Sequence, residues 1–149
     1  MLSLRVRDVM ERKALITAAP DATVAKAAEL MARRKVGAVL VLEHGALVGI
    51  FTERDVVFRV IAQGRDARAT RLSEVMTIRP QTVDPEKSFG YALLLMHENG
   101  FRHLPVVEDD KLLGIVSARN ALDPDLEEFV AESQRRKQIQ REGGVTTRG

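Results

Sequence analysis

The sequence predicts a mixed α/β (α+β) fold: two β-α-β-β-α repeats related by a pseudo-two-fold axis, with small sheets flanked by helices. Three observations lead to this prediction. Residues 16–55 fall on residues 81–120 without a gap when the chain is shifted by 65 positions. Each copy contains one stripe of apolar residues at helical spacing. Each copy also contains two short apolar runs separated by a polar turn, which is typical of paired strands.

The first half of each copy predicts a helical turn, an extended segment and a longer helix. The segments RVRDVM and RLSEVM are interpreted as short helical turns that lead to extended chain around Thr17 and Thr82. Thr23 and Ser88 stand at the start of the longer helix, where a hydroxyl can accept from free N–H groups. The apolar stripes expected to be buried are Val24, Ala27, Ala28 and Met31 in the first copy, and Phe89, Ala92, Leu93 and Met96 in the second.

Two strands follow the helix in each copy. They are predicted over residues 38–42 and 46–51, and again over 103–107 and 111–116. The turns between them, EHG and EDD, are short and polar, so Asp109 and Asp110 are interpreted as a hairpin tip and not as a pair of catalytic acids. Because the strands are almost continuous apolar runs, we expect both faces of each sheet to be covered.

A second helix is predicted to begin at Thr52 in the first copy and at Ser117 in the second. The helix over residues 52–63 is unusually apolar for a short element, with valine, isoleucine and phenylalanine over 56–61. It either packs wholly inside its own repeat or exposes a face that meets a second subunit. Both interpretations stay open at this point.

The C-terminal segment predicts one more helix. Pro124 followed by Asp125 suits a helix start. The helix end is expected to be solvated or, alternatively, to bind an anionic partner through Arg135, Arg136, Lys137 and Arg141. Residues 143–149, GGVTTRG, are expected to be disordered. The predicted domains are residues 1–65, residues 66–123 and the C-terminal segment 124–149.

The composition excludes several classes of protein. The chain has 149 residues, a formal net charge of +2 and no cysteine, so disulfides and zinc–thiolate sites are excluded and a cytoplasmic location is expected. The first residues do not resemble a secretory signal, and no stretch approaches the roughly 18 apolar residues of a membrane span. His44 and His97 lack partners at metal-ligand spacing, so no metal site is predicted. Without a nucleophile–base pair, we expect no enzymatic activity.

The segment GIFTERD, residues 49–55, contains groups that could bind a ribose and a phosphate. Thr52 opens a helix whose first N–H groups lack partners within the helix and carry partial positive charge, so this end suits a phosphate. The Thr52 hydroxyl can donate to the same phosphate. The carboxylate of Asp55, one turn further on, can accept from the two vicinal hydroxyls of a ribose. The same pair of residues also fits a plain helix cap that needs no ligand.

The doubled motifs resemble the cystathionine β-synthase (CBS) domain in the tandem arrangement called a Bateman module. The resemblance rests on VM at 9–10 and 75–76, on TAAP and TVDP, on HLPVV and on GIFTERD, and it covers about residues 3–123. Each motif is weak by itself, but the doubled set at matching spacing is specific. The chain is therefore expected to be a stand-alone CBS pair.

The resemblance implies two clefts between the repeats, each with walls from both copies. The residues of the main cleft would be Ile50, Thr52, Arg54, Asp55, Thr77, Ile78, Pro80, Phe101, Arg102 and His103. Those of a weaker second cleft would be Lys13, Val36, Gly37, Ala38, Ser117, Arg119 and Asn120. Asn120 stands where the first copy has Asp55. Its amide lacks the charge of a carboxylate, which predicts binding roughly 10- to 100-fold weaker. Plain capping by Ser117 and Asn120 is the alternative.

The function implied by the resemblance is regulation without catalysis. An adenine nucleotide (AMP, ADP or ATP) would be the regulatory ligand, and its binding would bridge the repeats and shift the module between arrangements. The resemblance also implies a homodimer, with the helix over 52–63 as a candidate interface, and an unidentified client protein. The alternatives are a ligand-independent docking protein and, more weakly, nucleic-acid binding through the basic C-terminal segment. No membrane contact is expected.

Overall fold

The computed structural model describes residues 2–13, 15–121 and 123–142, without the side chains of residues 123–131 and 142. The chain divides into two compact units, Met1–Ala118 and Arg119–Gly149. The sheets and longer helices of both repeats belong to the first unit, so the cleft between the repeats lies within one unit. The exact boundaries of the three domains proposed from the sequence stay predictions.

The elements follow the order that the repeat predicts. The first repeat and its lead-in contain α1 (Val6–Val9), β1 (Thr17–Ala18), α2 (Val24–Arg34), β2 (Ala38–Glu43), β3 (Ala46–Thr52) and α3 (Glu53–Asp55), and α3 continues as a π-helical segment over Val56–Ile61. The second contains α4 (Leu72–Val75), β4 (Thr77–Ile78), α5 (Phe89–Asn99), β5 (His103–Glu108) and β6 (Lys111–Ser117), followed by a 3₁₀ turn over Ala118–Ala121. Helix α6 spans Asp123–Glu142.

The predicted caps and strand pairs are confirmed. The Thr23 hydroxyl accepts from the N–H of Lys26 at 3.2 Å, and the Ser88 hydroxyl accepts from the N–H of Tyr91 at 3.1 Å. Strands β1 to β4 form one sheet in sequence order, with β1 parallel to β2 and the other pairs antiparallel. Strands β5 and β6 pair in the same antiparallel way. The fold is therefore the repeated mixed α/β arrangement that the sequence predicts.

The two lead-in helices are exchanged between the repeats. In α1, which precedes the first repeat, the N–H of Val6 donates to the carbonyl of Lys87 in the second repeat at 2.8 Å. At the matching position of α4, the N–H of Leu72 donates to Ala22 in the first repeat at 2.9 Å. Both apolar side chains are fully buried. Each repeat is therefore completed by the segment that precedes the other.

The exchange explains why the VM and GI motifs occur together. Beyond α4, β4 pairs with the first repeat's β3, and Met76 lies against Gly49. Beyond α1, Glu11 forms a bridge with Ile115 in β6, and Met10 lies against Gly114. A side chain on either glycine would occupy the space that the methionine or its backbone needs. The methionine of each VM motif and the glycine of a GI motif therefore form one packing contact.

The strands are buried on both faces, as predicted, but the buried residues divide into separate clusters. Val39, Val41 and Phe51 pack in the cluster that includes α2 and α4. Leu40 and Ile50, which alternate with them along the strands, pack with Ile115 of the second repeat. Because successive strand residues point to opposite faces, one face is covered by helices and the other by the partner repeat. The buried residues of these strands are therefore divided between two clusters.

The second helix of each repeat, predicted to begin at Thr52 or Ser117, differs from an ordinary α-helix in both copies. In the first copy the helical segment over residues 53–61 is mostly π-helical and buries Val60, whereas Val57 and Ile61 are more than half exposed. In the second copy the helix predicted from Ser117 is a 3₁₀ turn, and α6 starts at Asp123. Pro124 explains the restart, because proline has no N–H to donate inside a longer helix but is tolerated in a first turn.

The far end of α6 is exposed, and the alternative of an anionic partner at its basic residues stays a prediction. The described side chains over 132–141 are largely exposed, and Arg135 and Arg136 form ion pairs with Glu132. The tail GGVTTRG, predicted to be disordered, lies outside the described residues.

We expect Gly114→Ala to destabilise the fold more than Gly49→Ala. A methyl group on Gly114 would lie 2.9 Å from the backbone oxygen of Glu11, whereas one on Gly49 would meet the Met76 side chain, which can move. The first substitution should lower the free energy of unfolding by about 1–3 kcal/mol, as overpacking does, and the second by less. Urea denaturation of the two variants measures the difference. Equal losses, or the reverse order, would contradict the exchanged packing.

Candidate functional site

The turn from β3 into α3 holds Asp55 in a defined position. The N–H of Thr52 donates to Oδ2 of Asp55 at 2.8 Å, and the Thr52 hydroxyl donates to the same oxygen at 3.2 Å. The Nε of Arg59 lies 3.4 Å from Oδ1, and the Asp55 side chain is 14% exposed. The helix cap considered as the alternative is therefore present. Each carboxylate oxygen has two acceptor positions, so the two Thr52 donors fill Oδ2, and the remaining acceptor capacity is on Oδ1 beside Arg59.

The Thr52 hydroxyl is directed differently from the prediction. It was expected to donate to a phosphate, but a hydroxyl has one proton and this one is given to Asp55. The N–H of Glu53, the first of the helix, donates to the carbonyl of Gly37 at 3.0 Å. These two donors of the turn therefore have protein partners.

A cavity of about 580 Å³ opens beside Asp55. Its walls come from the β3–α3 turn of the first repeat, from the chain after β4, and from the segment that joins α5 to β5. Nine of the ten residues predicted for the main cleft line it: Ile50, Thr52, Arg54, Asp55, Thr77, Pro80, Phe101, Arg102 and His103. Residues far apart in sequence thus meet around one cavity in the first compact unit.

Ile78 is the exception among the predicted cleft residues. It is 63% exposed and is not part of the cavity lining, although Thr77 and Arg79 on either side of it are. Strand β4 pairs with β3 through Thr77 and Ile78, and consecutive strand residues point to opposite sides. An apolar wall for a base would therefore come from Ile50, Pro80 and Phe101.

The charges around the cavity favour an anion. Arg54, Arg59, Arg79 and Arg102 line it together with Glu53 and Asp55, so these groups sum to +2 with His103 neutral. Arginine guanidinium groups bind phosphate with paired, directional hydrogen bonds. The arrangement therefore combines an acceptor for sugar hydroxyls, an apolar wall and cationic groups in one space.

Arg54 also connects the two repeats across the mouth of the cavity. Its Nη1 donates to the carbonyl of Gly100 at 3.2 Å, where α5 ends. Its guanidinium carbon lies 5.7 Å from the centre of the Phe58 ring, within the range of a cation–π contact. A ligand that contacts Arg54 would act on an existing link between the repeats.

Sequence reasoning missed seven lining residues: Glu53, Phe58, Arg59, Arg79, Gln81, Asn99 and Gly100. The position of Arg59, four residues after Asp55, is a readable signal for an ion pair on one helix face. Arg79 stands between two residues that were predicted. Asn99 and Gly100 belong to the last turn of α5, and no residue pattern in the sequence marks that turn as part of a cleft.

The residues predicted for the second cleft have varied surroundings. Ala38 is buried in the cluster between the repeats, and Ser117 is also buried. Val36 lines a separate groove of about 390 Å³. A side chain on Gly37 would lie 2.8 Å from the carboxylate of Glu53.

The chemistry at these positions differs from that of the main cavity. Gly37 corresponds to Arg102 in the repeat, so an acid approaches the position where the main cavity has a cation. Arg119 and Asn120 belong to the second compact unit, Arg119–Gly149, and Asn120 is buried. Occupation of a second cleft, with Lys13 and the other residues named for it, stays a prediction.

Among the described residues, no group of three His, Asp or Glu side chains is arranged to hold a metal ion. Within the same residues, no helix has the length and apolar character needed to cross a bilayer.

Comparison with known proteins gives the same two segments as the repeat. The family described as CBS domain matches residues 6–62 and 72–125. Among curated proteins, the CBS domain-containing protein YhcV of Bacillus subtilis is 40% identical over 112 residues, which is 75% of this chain and 79% of that protein. No enzyme family is among these findings.

Two solved structures share the fold. The hexameric CBS-CP12 protein from bloom-forming cyanobacteria is 28% identical, with a TM-score of 0.76, over 95% of this chain and 90% of that one. A CBS domain pair in complex with 5′-methylthioadenosine and S-adenosyl-L-methionine is 23% identical, with a TM-score of 0.73, over 83% and 97%. At 23% identity the second comparison concerns the fold alone.

We expect Asp55→Ala to lower the free energy of unfolding by about 0.5–2 kcal/mol, because the Thr52 N–H loses its acceptor. Asp55→Asn should cost less, because its amide oxygen can accept the same bond and the lost ion pair with Arg59 is partly exposed. Urea denaturation distinguishes the two, with Glu29→Ala, an exposed helical acid, as the control. If Asp55→Ala is as stable as the control, the carboxylate does not stabilise the turn.

Proposed function

Because the chain belongs to the CBS domain family and carries two CBS domains in tandem, we propose that it is a non-enzymatic regulatory module that binds an adenine nucleotide, AMP, ADP or ATP, between its repeats. The observation that carries the proposal is the cavity beside Asp55, which places a carboxylate, an apolar wall and four arginines around one space.

The ribose would bind at Asp55. Oδ2 already accepts from the N–H and the hydroxyl of Thr52, so the ribose hydroxyls would donate to Oδ1, beside Arg59, and to Oδ2 only where the Thr52 hydroxyl turns away. The base would lie against Ile50 and Phe101. The phosphate would then face the arginines of the cavity, where charge-assisted bonds are strongest.

The charge of the cavity separates phosphorylated from other adenosine ligands. The neighbour solved with 5′-methylthioadenosine and S-adenosyl-L-methionine has this fold, but neither of those molecules carries a phosphate. The sulfonium of S-adenosylmethionine is itself positive, and four arginines against two acids disfavour it. We therefore propose nucleotides, not these ligands, for this chain.

Regulation would follow from the composition of the cavity walls. The turn with Asp55 belongs to the first repeat, whereas Phe101 and Arg102 belong to the second. A bound nucleotide therefore contacts both repeats and stabilises the arrangement in which both sets of contacts can form. A client protein that binds differently to the nucleotide-bound and the nucleotide-free arrangement would then respond to the nucleotide concentration.

Thermal unfolding and calorimetry with AMP, ADP and ATP test the proposal. A ligand at 100 times its dissociation constant should raise the free energy of unfolding by about 2.7 kcal/mol. Asp55→Asn keeps the cap oxygen and removes the charge, so it should weaken binding roughly 10- to 100-fold. Asp21→Asn, an exposed acid outside the cavity, is the control and should bind like the wild type. The absence of any response in well-folded protein would refute the proposal.

Self-association is the second part of the proposal. Val57, Phe58 and Ile61 expose between 54% and 65% of their surface on the segment after Asp55. Exposed apolar side chains grouped on one short helix are typical of an interface. The hexameric neighbour is an assembly of chains with this fold. We propose that this segment contributes to a homodimer; ligand-independent docking of a client protein on the same surface is the alternative.

We expect Ile61→Glu to shift the protein from dimer to monomer, because a charge would have to be desolvated at the interface. Light scattering after size-exclusion chromatography measures the mass. Ile139→Glu is the matched control, since Ile139 on α6 is equally exposed at 67% but lies outside the proposed interface. A monomeric wild type, or a dimer that persists in Ile61→Glu, would contradict this interface.

A further inference from the structure

Arg79 has an unusual backbone conformation. Among the described residues, five that are not glycine have a positive φ, and four of them lie where such angles are common: Lys35 ends α2, and His44, Asp109 and Asp110 form the two hairpin tips. Arg79, with a φ of +50°, follows β4 and directly precedes Pro80. A residue before proline normally prefers extended backbone, so the surrounding structure must hold this conformation.

One backbone hydrogen bond fixes the conformation of Arg79. Its N–H donates to the carbonyl of Val48 in β3 at 3.1 Å. The bond holds the residue beside the strand that leads into the turn with Asp55. Strained backbone conformations that the surrounding structure holds in place are concentrated at binding sites.

The side chain of Arg79 lines the main cavity and has no protein partner there. Its guanidinium makes no hydrogen bond or ion pair with another described residue. Two other arginines of the cavity are engaged, Arg54 with the carbonyl of Gly100 and Arg59 with Asp55, whereas the guanidinium of Arg102, like that of Arg79, has no such partner among the described residues. Arg79 is therefore a cation that a ligand can use without breaking an existing contact.

We propose that Arg79 is a specificity-determining residue that binds the phosphate of the ligand and selects nucleotides over uncharged adenosine compounds. The inference rests on the proposed function. The side chain of Arg79 lines the main cavity, whereas that of its neighbour Ile78 does not. A guanidinium can form two parallel bonds to a phosphate, and none to a ligand that lacks an anionic group.

Arg79→Gly and Lys35→Gly form a matched pair of variants. Both positions have a positive φ, of 50° and 56°, both are exposed, and both substitutions remove one positive charge. Glycine adopts positive φ freely, so neither change should lower the midpoint of unfolding substantially. Lys35 lines the separate groove beside Val36 and not the main cavity. The two variants therefore differ in whether the removed side chain can reach a ligand in the main cavity.

Calorimetry with ATP, AMP and 5′-methylthioadenosine tests the inference. Arg79→Gly should weaken ATP and AMP binding roughly 10- to 100-fold and change 5′-methylthioadenosine binding by less than about 3-fold. Lys35→Gly should change none of them, and Arg79→Lys should recover part of the loss. A wild type that binds ATP but not 5′-methylthioadenosine would support a phosphate requirement, and the comparison of the two glycine variants with ATP then decides the role of Arg79.

Three results would overturn the inference. If Arg79→Gly binds ATP like the wild type while Asp55→Asn does not, the proposed function stands and the role of Arg79 is refuted. If ATP and 5′-methylthioadenosine lose affinity equally, Arg79 shapes the nucleoside pocket instead of binding phosphate. If the wild type binds none of the three ligands, the proposed function fails and this inference fails with it.

Discussion

The exchange of lead-in segments is the constraint on which the rest of the structure depends. Backbone hydrogen bonds from α1 reach the second repeat and those from α4 reach the first. The chain that leaves α4 must then run along β3 of the first repeat before it enters the second. That path brings Thr77, Arg79 and Pro80 next to the turn that carries Asp55. The cavity is thus a product of the connection, and each repeat alone would supply one wall.

Asp55 illustrates how one residue can serve stability and binding together. Its Oδ2 completes the cap at Thr52, and its Oδ1 faces Arg59. A carboxylate that already has these donors is held in one orientation, so little conformational entropy would be lost when a sugar binds. Asn120, its counterpart, can cap a helix but carries no charge. Asparagine at this position therefore keeps the ability to cap a helix but loses the negative charge, whereas aspartate has both.

Much of the fold could be predicted from the sequence, because the repeat supplies every element twice. The caps at Thr23 and Ser88 and the paired strands follow from local patterns, whereas most of the cleft residues were predicted from the resemblance. The spacing of VM and GI does not say which copies meet, so the pairing of the GIFTERD turn with the segment after the second VM was predicted only as what the resemblance implies. Ile78 was assigned to a wall that it does not reach, because strand register decides which side chain faces the cavity. The π-helical segment and the left-handed Arg79 result from tertiary contacts, to which no periodic pattern corresponds.

The exchanged lead-ins also bear on how such a chain could arise. A polypeptide with one copy would have an unpaired edge beside its second long strand, and a lead-in helix with no surface to cover its buried face. Two such polypeptides could pair this edge and cover this helix by exchanging their first segments, which gives a domain-swapped, two-fold symmetric dimer. Fusion of the two genes would make this exchange intramolecular. Formation of the pair would then no longer depend on protein concentration, because the two halves are held at a fixed local concentration. Freed from strict symmetry, the halves could then diverge, so that an acid was kept in one and an amide in the other.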